Sequence, residues 1–301
     1  MTCPISSRPI TLIADDYGMA PGVSDAIRSL LTEGRLSGTS CMTVGEFWAD
    51  AAGPLRSTAE QLGPRVEIGL HLCLTAPFRP LTAELRQAAG WDRFPGLGAL
   101  LRQGLAGRVP PAALAAEITA QYAAFVDAFG REPDFIDGHQ HVHLFPGVSA
   151  PLAATLDGMG ARPRWIRRCG DGIGRILRRP FAPKALVLQA LSARSDRTFA
   201  RLPARRNRGF SGIYDFGDAD YAGLFDRWLA TAPADAVMMC HPGFVDAPLA
   251  ALDPVTTARE AEYQYFSGPA ISQALARHGR RLAPFGEAAA GHGTPIPAEI
   301  S

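Results

Sequence analysis

The sequence predicts an α/β fold, a single irregular (β/α) barrel, and three features carry that expectation. Apolar runs of strand length alternate with helical patterns almost from end to end, as a parallel sheet wrapped by helices requires. The 301 residues, 47% of them hydrophobic, hold neither an internal repeat nor a charged linker and suffice for one large core. Acidic and histidine residues recur just beyond the ends of the apolar runs, where such a barrel builds its active site. One domain over residues 1–290 is expected, followed by a poorly ordered tail, 291–301, that includes His292.

The elements follow in order. Residues 10–14 form a short apolar run that stops at Asp15-Asp16-Tyr17-Gly18. A helix over 21–31 has Pro21 in its first turn and Gly34 past its end. Strands are expected over 38–44 and 66–74, separated by a helix over 47–61. Helical spacing over 112–129 closes at Gly130. A short strand over 134–137 then runs into Gly138-His-Gln-His-Val-His143. Further strands are expected at 165–168, 209–213, 236–240 and 281–283, with helices near 151–159, 183–199, 221–232 and 256–278. Residues 76–111 break the alternation. They read as an irregular insertion on the active rim, either a cover with Trp91 or Phe94 as a stacking surface for a ligand or a tolerated excursion whose aromatics pack it to the barrel.

Composition excludes several classes. A formal net charge of +1 argues against a nucleic-acid binder. The one basic stretch, residues 201–208, reads as a solvated loop. No run approaches the roughly twenty apolar residues of a membrane span, and the first residues lack the apolar centre of a signal peptide. Cys3, Cys41, Cys73, Cys169 and Cys240 are odd in number and include no Cys-x-x-Cys pair, which suggests reduced thiols and a cytoplasmic protein. A homodimer is compatible with all of this.

The periodicity brings Asp15, Asp16, His71, His139, His141, His143 and His241 toward one rim. Each has a bland reading. Paired Asp at a strand end often caps a helix, a lone His in an apolar run is often a bonded core residue, and a His cluster can lie on the surface. On an extended segment His139, His141 and His143 would share a side. Positions two apart lie about 6.5 Å from each other, so His141 and His143 read as support. One carboxylate and two imidazoles form a facial set for a divalent ion, Zn²⁺ or Mg²⁺ among others. The remaining Asp and His can then serve as base and acid.

Four ordered motifs carry a resemblance: Ala14-Asp-Asp-Tyr-Gly-Met-Ala-Pro-Gly22, Ile68-Gly-Leu-His-Leu-Cys-Leu-Thr75, Asp137-Gly-His-Gln-His-Val-His143 and Met239-Cys-His-Pro-Gly243. With Gln121-Tyr122, Phe129-Gly-Arg-Glu-Pro133, Arg259 and Glu262, the chain from about Ile10 to Phe285 resembles the YdjC family of carbohydrate deacetylases. The resemblance implies a distorted (β/α) barrel and a divalent metal held by Asp16, His71 and His139. It also implies that Asp15 is the catalytic base, that His241 stands where an acid is expected, and that Arg259 keeps Asp15 ionised and oriented. Gly138 and Gln140 stand where the family often has Ser and His, which bears on the surroundings of the site rather than its ligands.

Three functions fit these residues. The first is removal of the acetyl group from an N-acetylated sugar. The second is hydrolysis of another amide or a phosphoester, although bimetallic phosphoesterases usually need further bridging carboxylates. The third is a silent sugar- or metal-binding protein, which would need neither Asp15 nor His241.

Overall fold

Parallel pairing is what the buried, unalternating runs require. In the computed structural model, which describes residues 7–217 and 220–285, eight parallel strands form one curved sheet among the described residues. They are β1 (Arg8–Tyr17), β2 (Gly38–Cys41), β3 (Glu67–Leu72), β4 (Phe135–Gly138), β5 (Trp165–Ile166), β6 (Gly209–Ser211), β7 (Ala236–Cys240) and β8 (Arg280–Leu282). Their spatial order is β5-β4-β3-β2-β1-β7-β6, and β8 pairs with the first residues of β1. The result is a half-barrel wrapped by helices, in keeping with the irregular barrel expected. Its two edges meet through a single bridge between Trp165 and Arg205 rather than through a ladder. The Asn207 side chain completes that seam: Oδ1 accepts from Arg168 N–H at 2.7 Å, and Nδ2 donates to the carbonyls of Arg168 and Gly209, each at 2.8 Å. The expected tail at 291–301, with His292, lies outside the described residues.

Side chains on alternate positions of neighbouring strands stack in layers. Phe135 and Trp165 lie ring to ring at 4.2 Å, with Phe285 against Trp165 at 5.0 Å. Gly69 makes room for this layer, because a Cβ there would sit 2.4 Å from the Phe135 ring. Two residues further along each chain, the same positions become His71, Asp137 and Arg167. An apolar layer thus supports a polar one, and the polar layer is the floor of the site.

Three expectations need correction. Residues 76–111 contain two helices, Ala83–Ala89 and Leu97–Leu105, too short to show a clear period in sequence. Thr82 caps the first and left-handed Gly90 ends it. The insertion is anchored by buried Glu117, whose carboxylate accepts the N–H groups of Leu81 and Thr82 and the Thr82 hydroxyl. The stretch 256–278 is two helices, Thr257–Ser267 and Ala270–Arg277, divided at Gly268-Pro269. The basic stretch is not wholly solvated: Arg206 lies over the Phe199 ring at 4.8 Å and pairs with Asp196.

Because Asn207 closes the seam, Asn207→Ala leaves one buried N–H and two carbonyls without a partner. Urea unfolding is expected to show a loss of about 2–4 kcal/mol. A change under about 0.5 kcal/mol would show that the edges do not depend on this side chain.

Candidate active site

Neighbouring residues of a strand point to opposite faces, so Asp15 and Asp16 should not share a site. Register with β2 breaks between Ala14 and Tyr17, and Asp16 takes a left-handed φ of 72°. Aspartate tolerates that conformation better than most residues, and a bulge is a common way to re-aim a side chain. Both carboxylates therefore lie within β1 rather than past its end, both buried, and both reach the polar layer. Asp16 Oδ1 lies 2.8 Å from His139 Nδ1 and 3.3 Å from His71 Nε2. One ligand atom from each of the three falls within 4.8 Å of the others. The donor set of one carboxylate oxygen and two imidazole nitrogens is chemically apt for a divalent ion.

His71 is oriented from behind. Its Nδ1 donates to Asp137 Oδ1 at 2.6 Å, which turns Nε2 toward Asp16. A carboxylate behind a ligating histidine fixes ring and tautomer in this way. Burial alone would lower the His71 pKa, but the Asp137 charge and hydrogen bond carry it up to about 10 in the metal-free protein. Burial likewise works against ionised Asp16, but the His139 and Arg259 charges hold it well below the usual carboxylate range.

Two buried arginines divide the carboxylates. Arg167, fully buried, grips Asp15 with both terminal nitrogens at 2.6 and 2.7 Å and reaches Asp137 Oδ2 at 2.7 Å. Arg259 donates to Asp16 Oδ2 and to Asp253 Oδ2, each at 2.6 Å. This corrects the role expected of Arg259, because it holds Asp16 while Arg167 holds Asp15. The sequence reading gave no part to Arg167, Asp137 or Asp253. A usable signal existed for Arg167, since a charged residue two positions after Trp165 falls in line with His71 and Asp137. A second acidic group, Asp15 with His71 and Asp137, also lies close enough for an ion. Its carboxylates are already occupied by Arg167.

His241 follows β7 and lines the same cavity, its Nε2 4.0 Å from Asp15 Oδ2. Burial lowers its pKa to about 4, against the raising effect of Asp16 and Asp15. The segment His139–Leu144 is a 3-10 turn, with Gln140 and His141 at left-handed φ of 52° and 63°, so the extended geometry expected for the three histidines does not hold. His139 alone of the three reaches Asp16. His143 is buried and donates through Nε2 to the Arg167 carbonyl at 3.0 Å, and burial keeps its ring neutral, with a pKa near 3. His141 meets Cys169 Sγ at 3.4 Å. Cys41, Cys73, Cys169 and Cys240 are buried and unpaired, and burial pushes every one of these thiols up.

The site opens into a cavity of about 350 Å³. The insertion supplies Ala76, Pro77, Phe78 and Leu97 to its wall. Trp91 and Phe94 do not line it: they are buried, packing edge to face at 6.5 Å within the insertion. The aromatic wall comes instead from Phe78, edge-on to His139, and Phe216, edge-on to His241.

A carboxylate–imidazole cluster at the rim of a parallel half-barrel defines the class. The chain belongs to the YdjC-like protein family, whose model matches residues 9–277. It is 30% identical over 280 residues to the chitooligosaccharide deacetylase of Klebsiella pneumoniae (strain 342), covering 91% of this chain and 97% of that one. The chitooligosaccharide deacetylase of Citrobacter koseri is 28% identical over 293 residues, covering 92% and 98%. Among solved structures, an Enterococcus faecalis V583 protein described provisionally as a cellobiose-phosphate cleavage protein shares the fold. The TM-score is 0.67 at 20% identity, with 94% and 99% of the two chains covered.

Removing Arg167 would leave two buried carboxylates facing each other without a counter-charge. Arg167→Met is expected to cost about 3–5 kcal/mol in denaturant unfolding. Breaking the exposed Arg277–Asp226 pair should cost at most about 1 kcal/mol. Equal effects from the two changes would contradict the central place given to Arg167.

Proposed function

We propose that this protein is a metal-dependent hydrolase that removes the acetyl group from an N-acetylated sugar. The observation that carries the reading is the division of labour within one strand. Arg259 and two imidazoles face Asp16, whereas Arg167 and His241 face Asp15, so adjacent carboxylates sit in two different chemical settings. The chitooligosaccharide deacetylases named above supply the substrate class, an N-acetylated saccharide.

In this reading Asp16, His71 and His139 hold one divalent ion, Mg²⁺ or Zn²⁺. When bound, such an ion acidifies water and polarises a carbonyl oxygen. Asp15, kept in place by the two-pronged grip of Arg167, accepts the proton of the attacking water. His241 gives a proton to the nitrogen as the C–N bond breaks. The products are acetate and the free amino sugar. Their 4.0 Å separation lets Asp15 and His241 serve atoms of one amide group. Phe78, Leu97 and Phe216 shield that group from bulk water. With Asp15 and Asp137 tied to Arg167, neither carboxylate of the second acidic group found among the described residues is free to bridge to a second ion, which favours amide over two-metal phosphoester hydrolysis.

Metal content and acetate release from N-acetylated oligosaccharides test the roles together. Asp15→Asn should keep the ion and lose about 10²–10⁴ in turnover. Asp16→Asn should lose the ion as well, because an amide oxygen is a poorer ligand. His241→Ala should keep the ion and lose turnover. Wild-type turnover in Asp15→Asn would overturn the base assignment, and no acetate from any N-acetylated sugar would overturn the function.

A further inference from the structure

Glu262 lies outside the cavity wall, fully buried on the helix Thr257–Ser267, directly behind His241. Its Oε2 accepts the His241 backbone N–H at 2.6 Å and the Tyr221 hydroxyl at 3.3 Å, and its Oε1 accepts the Tyr214 hydroxyl at 2.5 Å. Oε1 also stands 4.0 Å from His241 Nδ1, a buried nitrogen without a hydrogen-bond partner, on the far side of the ring from Asp15. Among the described residues no cationic side chain is in hydrogen-bond contact with Glu262. A buried carboxylate held only by an amide and two phenols is a costly way to fill space, since a glutamine offers the same shape without the charge.

We propose that Glu262 is the positioning residue of His241 and stores the proton that the ring passes on: as Nε2–H goes to the departing amine nitrogen, the carboxyl proton of Glu262 moves to Nδ1. One proton enters the amine and one leaves Glu262, and His241 ends as a neutral ring with its proton on the other nitrogen. The inference rests on the deacetylase reading above. Catalytic hydrogen bonds are often long before substrate binds, and a closure of about 1 Å brings the pair into contact.

The electrostatics support the geometry. Burial drives His241 down to about 4 while Asp16 and Asp15 raise it and Arg259 and His71 lower it, so at neutral pH the ring carries one N–H and leaves the other nitrogen open to accept a proton. Burial drives Glu262 up to about 7, with Tyr214, the His241 N–H, Arg259 and Tyr221 pulling it down. Of the two groups, Glu262 is thus the one that holds a proton more readily.

The test uses metal-loaded protein. Glu262→Gln should keep the wild-type metal content and KM, lower kcat by about 10²-fold, and abolish the fall of kcat above about pH 7. Tyr214→Phe, which removes a donor to the carboxylate, should move that fall to higher pH. In ¹⁵N-histidine spectra, the wild-type His241 ring should respond to a titration near pH 7 that is lost in Glu262→Gln. This signal needs no substrate. Absence of acetate release by the wild type would overturn the deacetylase reading, while the spectra would still decide the pairing. An unchanged kcat and alkaline limb in both variants, or a His241 signal indifferent to Glu262, would overturn the proposal.

Discussion

One guanidinium between two carboxylates sets the conditions for everything else at the rim. Asp15 and Asp137 come from strands that are not neighbours, and both are buried against the same guanidinium. Without Arg167 at least one would take up a proton, because like charges at that distance cannot both ionise in a dry interior. With it, Asp137 remains an acceptor for His71 Nδ1–H, and His71 Nε2 is left for Asp16. The same guanidinium fixes the direction of Asp15. The surroundings converge on this residue: His143 holds its carbonyl and Asn207 holds the backbone of Arg168.

The bulge in β1 is the second constraint. A regular strand would send Asp15 and Asp16 to opposite faces, and one of them would be lost to the helical layer. Left-handed Asp16 brings both to the rim, and each finds its own arginine. The departure at Gly138 fits this crowded floor. A Cβ there would lie 3.0 Å from both the backbone nitrogen and Nδ1 of His143, so glycine allows the turn to fold tightly against β4. Gln140 lines the cavity beside it.

Much of this was legible in the sequence, and the reasons differ by feature. The strand–helix alternation was clear because buried parallel strands read as continuous apolar runs, and every expected strand is present within a few residues. Asp15, Asp16, His71, His139 and His241, which the fold brings to one cavity, stood out because polar residues near strand ends contrast with such runs. Arg167 did not: its place two positions after Trp165 was the available signal, but the partner it meets, Asp15, lies 152 positions away in sequence. The histidine run misled because two left-handed residues replace the extended backbone its alternation suggests. Trp91 and Phe94 misled for another reason, as an aromatic in an insertion packs the insertion to its scaffold at least as readily as it meets a ligand.

In the proposed arrangement one ion would sit among Asp16, His71 and His139, with Arg167 keeping Asp15 and Asp137 out of its coordination. Anomalous diffraction from crystals grown with Zn²⁺ measures this most directly. The account predicts a single peak about 2.0–2.3 Å from Asp16, His71 and His139, with Arg167 still gripping Asp15. A peak among Asp15, His71 and Asp137 with Arg167 displaced, or no peak at this cluster, would contradict it.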